Sequence, residues 1–316
     1  MRDSGWKEWY RAQHIRMCAL PGEQFEQYVE SILNRFHSDF INPDPMGSRG
    51  DGGCDGVAEN GTSVYAVYSQ TAHTDLDRKT ANKLEKDFSR ALENWPDMVT
   101  WRFITNGDFG PKSTQRFIEL QKEHDENSPR TIKLELWKAP EDLWWRAVVE
   151  LTEKQLDQVL PGVPHAQDVR LEDMVEVLQV LETETQYSIE TFDVISPVSQ
   201  TKMDFNNLSA ATRCEFNAGR QLAPRLDKWF EAQPVGSRDD KAKRFNEIYQ
   251  EIRKVTADPS EIVEDLYIAL GGSNPRKDTQ RANAVYAITA YFFDSCDIFE
   301  NPLSKSEGNC EDATAD

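Results

Sequence analysis

The spacing of apolar residues changes once along this chain of 316 residues, and that change decides the fold class. Between residues 23 and 151, segments with apolar residues three and four apart alternate with short runs rich in β-branched and aromatic residues. These two patterns predict helices and strands, respectively. From Asn206 onward only the helical spacing remains. The sequence therefore predicts an α/β N-terminal domain with a mixed central sheet, followed by an all-α C-terminal domain.

The first half predicts the order helix, hairpin, helix, strand, helix, strand, helix. Asn60-Gly61 separates two strand-like runs, and this dipeptide is a strong hairpin signal. Pro111 suits the first turn of a helix, because its missing N–H has no partner there in any case. The predicted helices cover 22–36, 75–94, a segment from 111 and 141–151, and the strands cover 54–58, 63–69, 99–106 and 131–137.

The predicted domain boundaries follow changes in composition. Residues 20–160 form the α/β domain, and residues 165–200 form a linker or connecting helix, since 182–200 is polar with scattered β-branched residues. Residues 201–302 form the helical domain. The polar tail 303–316 is expected to be disordered.

Charge and apolar content exclude several classes of protein. The chain has 36 Lys and Arg against 55 Asp and Glu, a net charge of −19, and both halves are acidic. Bulk charge therefore does not support a nonspecific nucleic-acid binder, which needs cations to displace counterions from phosphates, and only a local basic groove stays open. No long apolar run or N-terminal signal pattern is present, so a cytoplasmic protein with no membrane span is expected. Five scattered cysteines form no CxxC pair, which argues against a structural zinc site.

A set of carboxylates around the predicted hairpin resembles the core of PD-(D/E)XK nucleases. In that core a helix acid and a hairpin aspartate hold Mg²⁺, which activates water, and a second strand carries E/Q-x-K. Glu26 on the first helix and Asp55 at the hairpin start match the two acids. Ala66 stands where the second acid or Gln belongs, and Tyr68 stands where the lysine belongs. Lys83 on the following helix is the preferred replacement for the missing lysine.

Three interpretations of this pattern stay open. The site is degenerate and noncatalytic; or it is active with a lysine displaced to Lys79, Lys83 or Lys86; or residues 50–56 are a tight loop without chemistry, since Gly permits positive φ. The catalytic candidates are Glu26, Asp55, Tyr68 and Lys83. Glu26 and Asp55 are also the candidate metal ligands.

A second glycine-rich stretch, 107–114, looks superficially like a phosphate-binding P-loop. Pro111 interrupts the Gly-Lys-Ser junction that such a loop requires, and proline has no N–H to donate to a phosphate. The start of a helix is the preferred interpretation.

At both ends the chain resembles proteins of bacterial ABC-three-component systems. The N-terminal resemblance is carried by GDGGCDG at 50–56, VYAVYSQ at 64–70 and WRFITNGDFGPKS at 101–113. The C-terminal resemblance is carried by Lys202, by NNLS at 206–209 and by YFFDSCDIFENP at 291–302. The resemblance implies a restriction-endonuclease-like N-terminal domain and the family's helical C-terminal domain. Tyr68 agrees with the family strand, whereas Ala66 departs from its usual Gln.

The resemblance also implies a role and partners. Such systems combine an effector-bearing protein, an ABC or SMC-like ATPase and a small middle component in antiphage defence. The nuclease-like domain would then be a sensor or adaptor, or alternatively a Mg²⁺-dependent endonuclease cutting DNA or RNA. Nucleic acid and a second copy of the chain stay open as further partners.

The closing helix is the candidate coupling surface, because it is more apolar than one helix face normally hides. Its interaction residues would be Tyr291, Phe292, Phe293, Ile298 and Phe299. The competing interpretation makes the same helix the central core helix of its own domain.

Overall fold

A computed structural model describes residues 4–43, 53–70, 75–165, 169–182, 200–295 and 298–299. The chain divides into two compact units. The α/β unit comprises residues 11–160, and the helical unit comprises residues 1–10 together with everything from residue 161. The predicted linker residues 183–199 and the predicted tail 303–316 lie outside the described residues.

The α/β unit is built on one four-stranded sheet, as the sequence predicted. Its strands are β1 (Gly56–Ala58), β2 (Ser63–Tyr68), β3 (Thr100–Thr105) and β4 (Lys133–Lys138), in the spatial order β1-β2-β3-β4. β1 pairs antiparallel with β2, whereas β2, β3 and β4 are parallel. Ile41 extends the sheet by an antiparallel bridge to Val57. The sheet is therefore mixed, with the hairpin at one side.

The predicted turn is present and explains the short hairpin. Glu59, Asn60 and Gly61 all have positive φ, which Asn and Gly tolerate best. β1 is shorter than predicted, because regular pairing begins only at Gly56. A Cβ at Gly56 would come within 2.3 Å of the Phe40 ring, so only glycine fits at this point.

Helices cover both faces of the sheet. α2 (Glu23–Phe36) ends at His37, whose ring bonds the Tyr65 hydroxyl on one face. α3 (Leu76–Asn94) and α4 (Pro111–Asn127) pack on the other face against Val64, Ala66 and Phe103. The helix predicted over 141–151 is broken into a π-turn at Ala139–Leu143, α5 (Trp144–Arg146) and a 3₁₀ turn at Val148–Glu150. α6 (Glu153–Val159) follows and begins with a capping box.

The helical unit contains α7 (Leu171–Gln179), α8 (Gln200–Phe205), α9 (Ala210–Arg220), α10 (Ala223–Glu231), α11 (Ser237–Arg253), α12 (Pro259–Gly271) and α13 (Thr279–Asp294). The first helix of the chain, α1 (Ser4–Cys18), contributes residues up to Tyr10 to this unit and the remainder to the α/β unit. The sequence analysis did not predict α1.

α13 forms the centre of the helical unit. Every residue from Ala282 to Phe293 is buried, so the helix is covered on all sides. α9 approaches it closely at Gly219, where a Cβ would lie 2.5 Å from the Tyr286 carbonyl oxygen. A helix that is apolar all round is a core element, and here the remaining helices supply the cover.

Candidate functional site

Asp55 lies where the hairpin begins, and its carboxylate is used in strand pairing. Its backbone N–H donates to the Tyr65 carbonyl, and its Oδ2 accepts the Val67 N–H, both at 2.7 Å. Regular pairing of β1 begins only at Gly56, opposite Tyr65, so the Val67 N–H bonds the Asp55 side chain in place of a strand carbonyl. Asp55 is half-buried. A mutation to alanine would therefore disturb the strand as well as remove a charge.

The second strand presents no acid or lysine at the two positions the nuclease pattern requires. Ala66 is fully buried and Tyr68 is half-buried, and both face the α3 side of the sheet. Successive strand residues point to opposite faces, so Tyr65 points the other way, where it bonds His37. Tyr68 packs beside the Phe103 ring rather than beside a titratable partner.

Glu26 lies in the first turn of α2 and is half-buried. It follows Gly22, whose N–H donates to Ser69 Oγ at 2.8 Å and thereby ties the start of α2 to the end of β2. In the part of the chain that the structure describes, no three His, Cys, Asp or Glu side chains are grouped so as to hold a metal ion.

The preferred replacement lysine already has a carboxylate partner. Lys83 Nζ lies 2.8 Å from Asp87 Oδ2, one turn later on α3. The Asp87 side chain is only 4% exposed, so this lysine neutralises an otherwise buried charge. That structural role accounts for a lysine at this position.

The P-loop-like stretch forms the start of α4, and the backbone N–H groups that could bind an anion there bind the Asp77 carboxylate instead. Its two carboxylate oxygens accept the N–H groups of Lys112 and Ser113, each at 2.8 Å. Partial desolvation acts to raise the pKa of Asp77, but these backbone donors outweigh it and leave the pKa below its ordinary value. Gly110 is required here, since a Cβ would lie 2.4 Å from the Asp77 carboxyl carbon.

A row of polar side chains that sequence reasoning missed crosses three strands. Tyr65, Arg102 and Glu135 are paired in register across β2, β3 and β4. Arg102 bonds the Tyr65 hydroxyl and Glu135 Oε2, both at 3.0 Å, and His37 bonds the same hydroxyl at 2.7 Å. Burial raises the pKa of Tyr65 to about 12 and lowers that of His37. Each of these side chains has a hydrogen-bond partner, which is typical of a structural network. The sequence shows this row only once the pairing register of the strands is known.

The helical unit contains a second buried network, centred on Arg276. Its guanidinium donates to Glu215 Oε1 at 2.8 Å and to both Glu264 oxygens at 2.6 and 2.8 Å. Trp9 Nε1 donates to the same Glu215 oxygen at 2.9 Å. Although burial by itself lowers the pKa of Arg276, Glu215 and its other neighbours raise it well above the ordinary value. This network is why residues 1–10 belong with the helical unit.

The five candidate coupling residues lie in the core of the helical unit. Tyr291 is 9% exposed, Phe292 and Phe293 are fully buried, and Phe299 is partly buried against the same core as Ile298. Lys202, singled out by the C-terminal resemblance, is fully buried, and its Nζ donates to the carbonyls of Phe293 and Ile298 at 2.6 and 2.7 Å. This burial agrees with a central core helix, and a coupling role for the same residues stays a prediction.

Among the described helices, none combines the length and apolar character that crossing a membrane demands. Neither a curated protein nor a solved structure matches the chain. Residues 172–300 match the family model of C-terminal domain 10 of the ABC-three component systems. That range covers α7 from its second residue to the end of α13, and it contains Lys202, NNLS at 206–209 and the closing motif except for its last two residues. The helical unit is therefore similar to C-terminal domain 10 of the ABC-three component systems.

Proposed function

We propose that this chain serves a bacterial ABC-ATPase-coupled antiphage defence system and that its α/β unit is a noncatalytic, nuclease-like sensor or adaptor. The order α2, hairpin β1–β2, α3, β3 supports nuclease ancestry, because it is the order in which the PD-(D/E)XK pattern places its acids. Glu26 and Asp55 occupy the helix and hairpin positions of that pattern.

The observation that carries the noncatalytic role is the buried Ala66. A methyl group sealed against α3 supplies no oxygen to a metal, and its neighbour Asp55 has one carboxylate oxygen committed to the Val67 amide. Tyr68 supplies a phenol where the pattern has an amine, and it packs beside the Phe103 ring. The elements of the pattern have kept their order while the residues that activate water are missing.

The alternative is an active Mg²⁺-dependent endonuclease. It is favoured by the partial exposure of Glu26 and Asp55, which leaves both carboxyl groups within reach of solvent. These residues would hold the ion through hard oxygen ligands, and the ion would supply an activated water when bound. Lys83 would have to leave Asp87 to take part.

Asp55→Asn separates the two roles. The amide oxygen still accepts the Val67 N–H, whereas the charge that a metal needs is lost. The purified full chain, alone and with its partner proteins, is incubated with Mg²⁺ or Mn²⁺ and plasmid DNA, single-stranded DNA and RNA. We expect no cleavage above that of the variant, and unchanged phage protection in cells that carry Asp55→Asn. Metal-dependent cleavage that the variant loses would establish the alternative.

The partners proposed for the chain are an ABC or SMC-like ATPase and a small middle component. Co-purification from cells that express all three proteins tests this, and size-exclusion chromatography of the isolated chain reports whether it also self-associates. Elution of the tagged chain free of both partners, with and without ATP, would reject the proposal.

A further inference from the structure

We infer that α3 carries a binding surface for the phosphate backbone of duplex nucleic acid, formed by Lys79, Lys83, Lys86 and Arg90 and called here the basic stripe. The spacing of these residues is four, three and four, which at 100° per residue places all four side chains within about 60° of one another. The stripe runs for about 16 Å along the helix axis. Lys79, Lys86 and Arg90 are exposed, and the Lys83 side chain is one-third exposed.

Three of these four cations have no carboxylate partner among the described residues, and the fourth, Lys83, pairs with Asp87. Among the described residues, Lys79, Lys86 and Arg90 have no acidic side chain within 4 Å, although the net charge is −19. Many other cations of the same unit are neutralised in ion pairs, which are Arg78–Asp75, Arg102–Glu135, Arg116–Glu85, Lys122–Glu126, Lys138–Asp108 and Arg146–Asp142. Lys79, Lys86 and Arg90 therefore bring three positive charges without carboxylate partners onto one side of a single helix.

Among the described residues, the packing of α3 leaves this side of the helix exposed. Its apolar side, including Leu84 and Phe88, packs on the sheet. On the α4 side, Glu85 pairs with Arg116 and Asp77 caps α4. The stripe occupies a third side, which Gly53 approaches at the Arg90 end: a Cβ at Gly53 would lie 2.5 Å from Arg90 Cβ.

Charge complementarity selects a phosphate backbone as the occupant. Phosphates follow one another every ~3.4 Å along each strand of a duplex, so a 16 Å stripe passes about five of them. A lipid surface is disfavoured because the apolar side that a membrane-bound helix must insert is buried on the sheet. A protein interface is disfavoured because the stripe has no aromatic or apolar centre, and lysine is depleted in such interfaces. Contacts to phosphate alone carry no base sequence, so binding is sequence-independent.

This inference rests on the proposed function, because it names the kind of ligand that the α/β unit would sense. Its test measures binding and does not depend on cleavage. Binding of the full chain to a fluorescein-labelled 25-bp DNA duplex is measured by anisotropy in EDTA, across a series of salt concentrations. Three to four phosphate contacts predict a slope of log K against log salt of about −3.

The decisive variant is Lys79→Glu/Lys86→Glu/Arg90→Glu. Lys83 is kept because its amine neutralises the buried Asp87. Loss of three phosphate contacts predicts an affinity about 500-fold lower at 0.1 M salt and a nearly flat salt dependence. The matched control reverses three exposed cations elsewhere in the unit, Lys112, Lys122 and Lys154, and produces the same change in net charge. We expect its affinity to fall less than about fivefold, since the reversed charges lie outside the stripe.

An equal loss in the two triple variants, or no duplex binding by the wild type at 50 mM salt, would overturn the inference. So would preferential binding of the wild type to phosphatidylserine vesicles or to polyglutamate. If the first variant fails to fold by circular dichroism, Lys86→Gln/Arg90→Gln replaces it, with an expected loss of more than tenfold. Metal-dependent cleavage by the wild type that Asp55→Asn loses would reject the proposed noncatalytic role, and it would leave the test of the stripe intact because duplex binding is measured in EDTA.

Discussion

Replacing Arg276 by methionine tests whether the buried network holds the helical unit together. The arginine side chain is 4% exposed and its partner Glu215 is 3% exposed, while Glu264 is 26% exposed. Methionine retains the aliphatic stem that packs beside the Tyr267 and Tyr286 rings but removes every hydrogen bond to the two carboxylates. Glu215 then keeps only the Trp9 indole as a donor among the contacts described above.

The magnitude follows from the burial of Glu215. Removing one partner of a buried ion pair leaves an uncompensated charge and costs about 3–5 kcal/mol. Because every ~1.4 kcal/mol is tenfold in an equilibrium constant, amides protected by the unit's unfolding should exchange about 10²- to 10³·⁵-fold faster. The matched control is Arg244→Met, which breaks an exposed i,i+3 pair with Glu247 and should cost less than about 1 kcal/mol.

Hydrogen exchange followed by mass spectrometry is the suitable assay, because peptides from α9, α12 and α13 report on the helical unit separately from the sheet. We expect faster exchange in all three helices for Arg276→Met and little change for Arg244→Met. Arg276→Lys should be intermediate, since a lysine keeps the charge but cannot bridge two carboxylates in the same way. Equal exchange in the Arg276→Met and Arg244→Met variants would refute the assigned role.

Three further outcomes are expected. Burial lowers the pKa of His14 to about 4, so between pH 6.5 and 4 the unfolded chain binds a proton that the folded chain does not. The free energy of unfolding should therefore fall by up to about 3 kcal/mol over this range, and urea titrations of His14→Gln should lack this decrease. Parallel pH profiles of the wild type and the variant would contradict the prediction. Gly53→Ala should lower the thermal midpoint more than Gly61→Ala, since both glycines have positive φ but only the first would press a Cβ onto Arg90; equal midpoints would count against that packing. Lys202→Met should lower the free energy of unfolding in urea by about 1–3 kcal/mol, because two buried carbonyls lose their donor. An unchanged urea midpoint would contradict the assigned role of these two hydrogen bonds.

Local signals predicted much of the α/β unit. Asn60-Gly61, the β-branched run of β2 and the amphipathic spacing of α3 each act within a few residues, so the hairpin, β2 and α3 were found close to their observed positions. α1 was missed because its buried side includes Gln13 and His14, which weakens the apolar pattern. The break within 139–150 was missed because residues 141–151 contain no Gly or Pro that would mark it in the sequence.

The candidate site was only partly predictable. The sequence identified Asp55 and Glu26 as carboxylates at the helix and hairpin positions, since motif spacing is a local property. It could not show that Asp55 accepts the Val67 amide, or that Lys83 pairs with Asp87. From the sequence, the lysines of α3 were considered only as replacements for one catalytic amine. Their common position on one side of the helix becomes evident only when the other sides are seen to pack on the sheet and against α4.

Three features follow from the sequence alone: the two-part fold class, the hairpin, and the likeness of the C-terminal helices to those of ABC-three component systems. Each depends on residues that are close together in the chain, through apolar periodicity, turn residues or short motifs. The burial of Tyr291, Phe292 and Phe293 in the core is seen only in the folded chain. The same holds for the contact of Trp9 with the network of Arg276, and for the carboxylates that bind a basic or backbone donor. Burial and ion pairing depend on residues far apart in the chain. An apolar closing helix and a row of charges therefore acquire their roles only when the helices around them are in place.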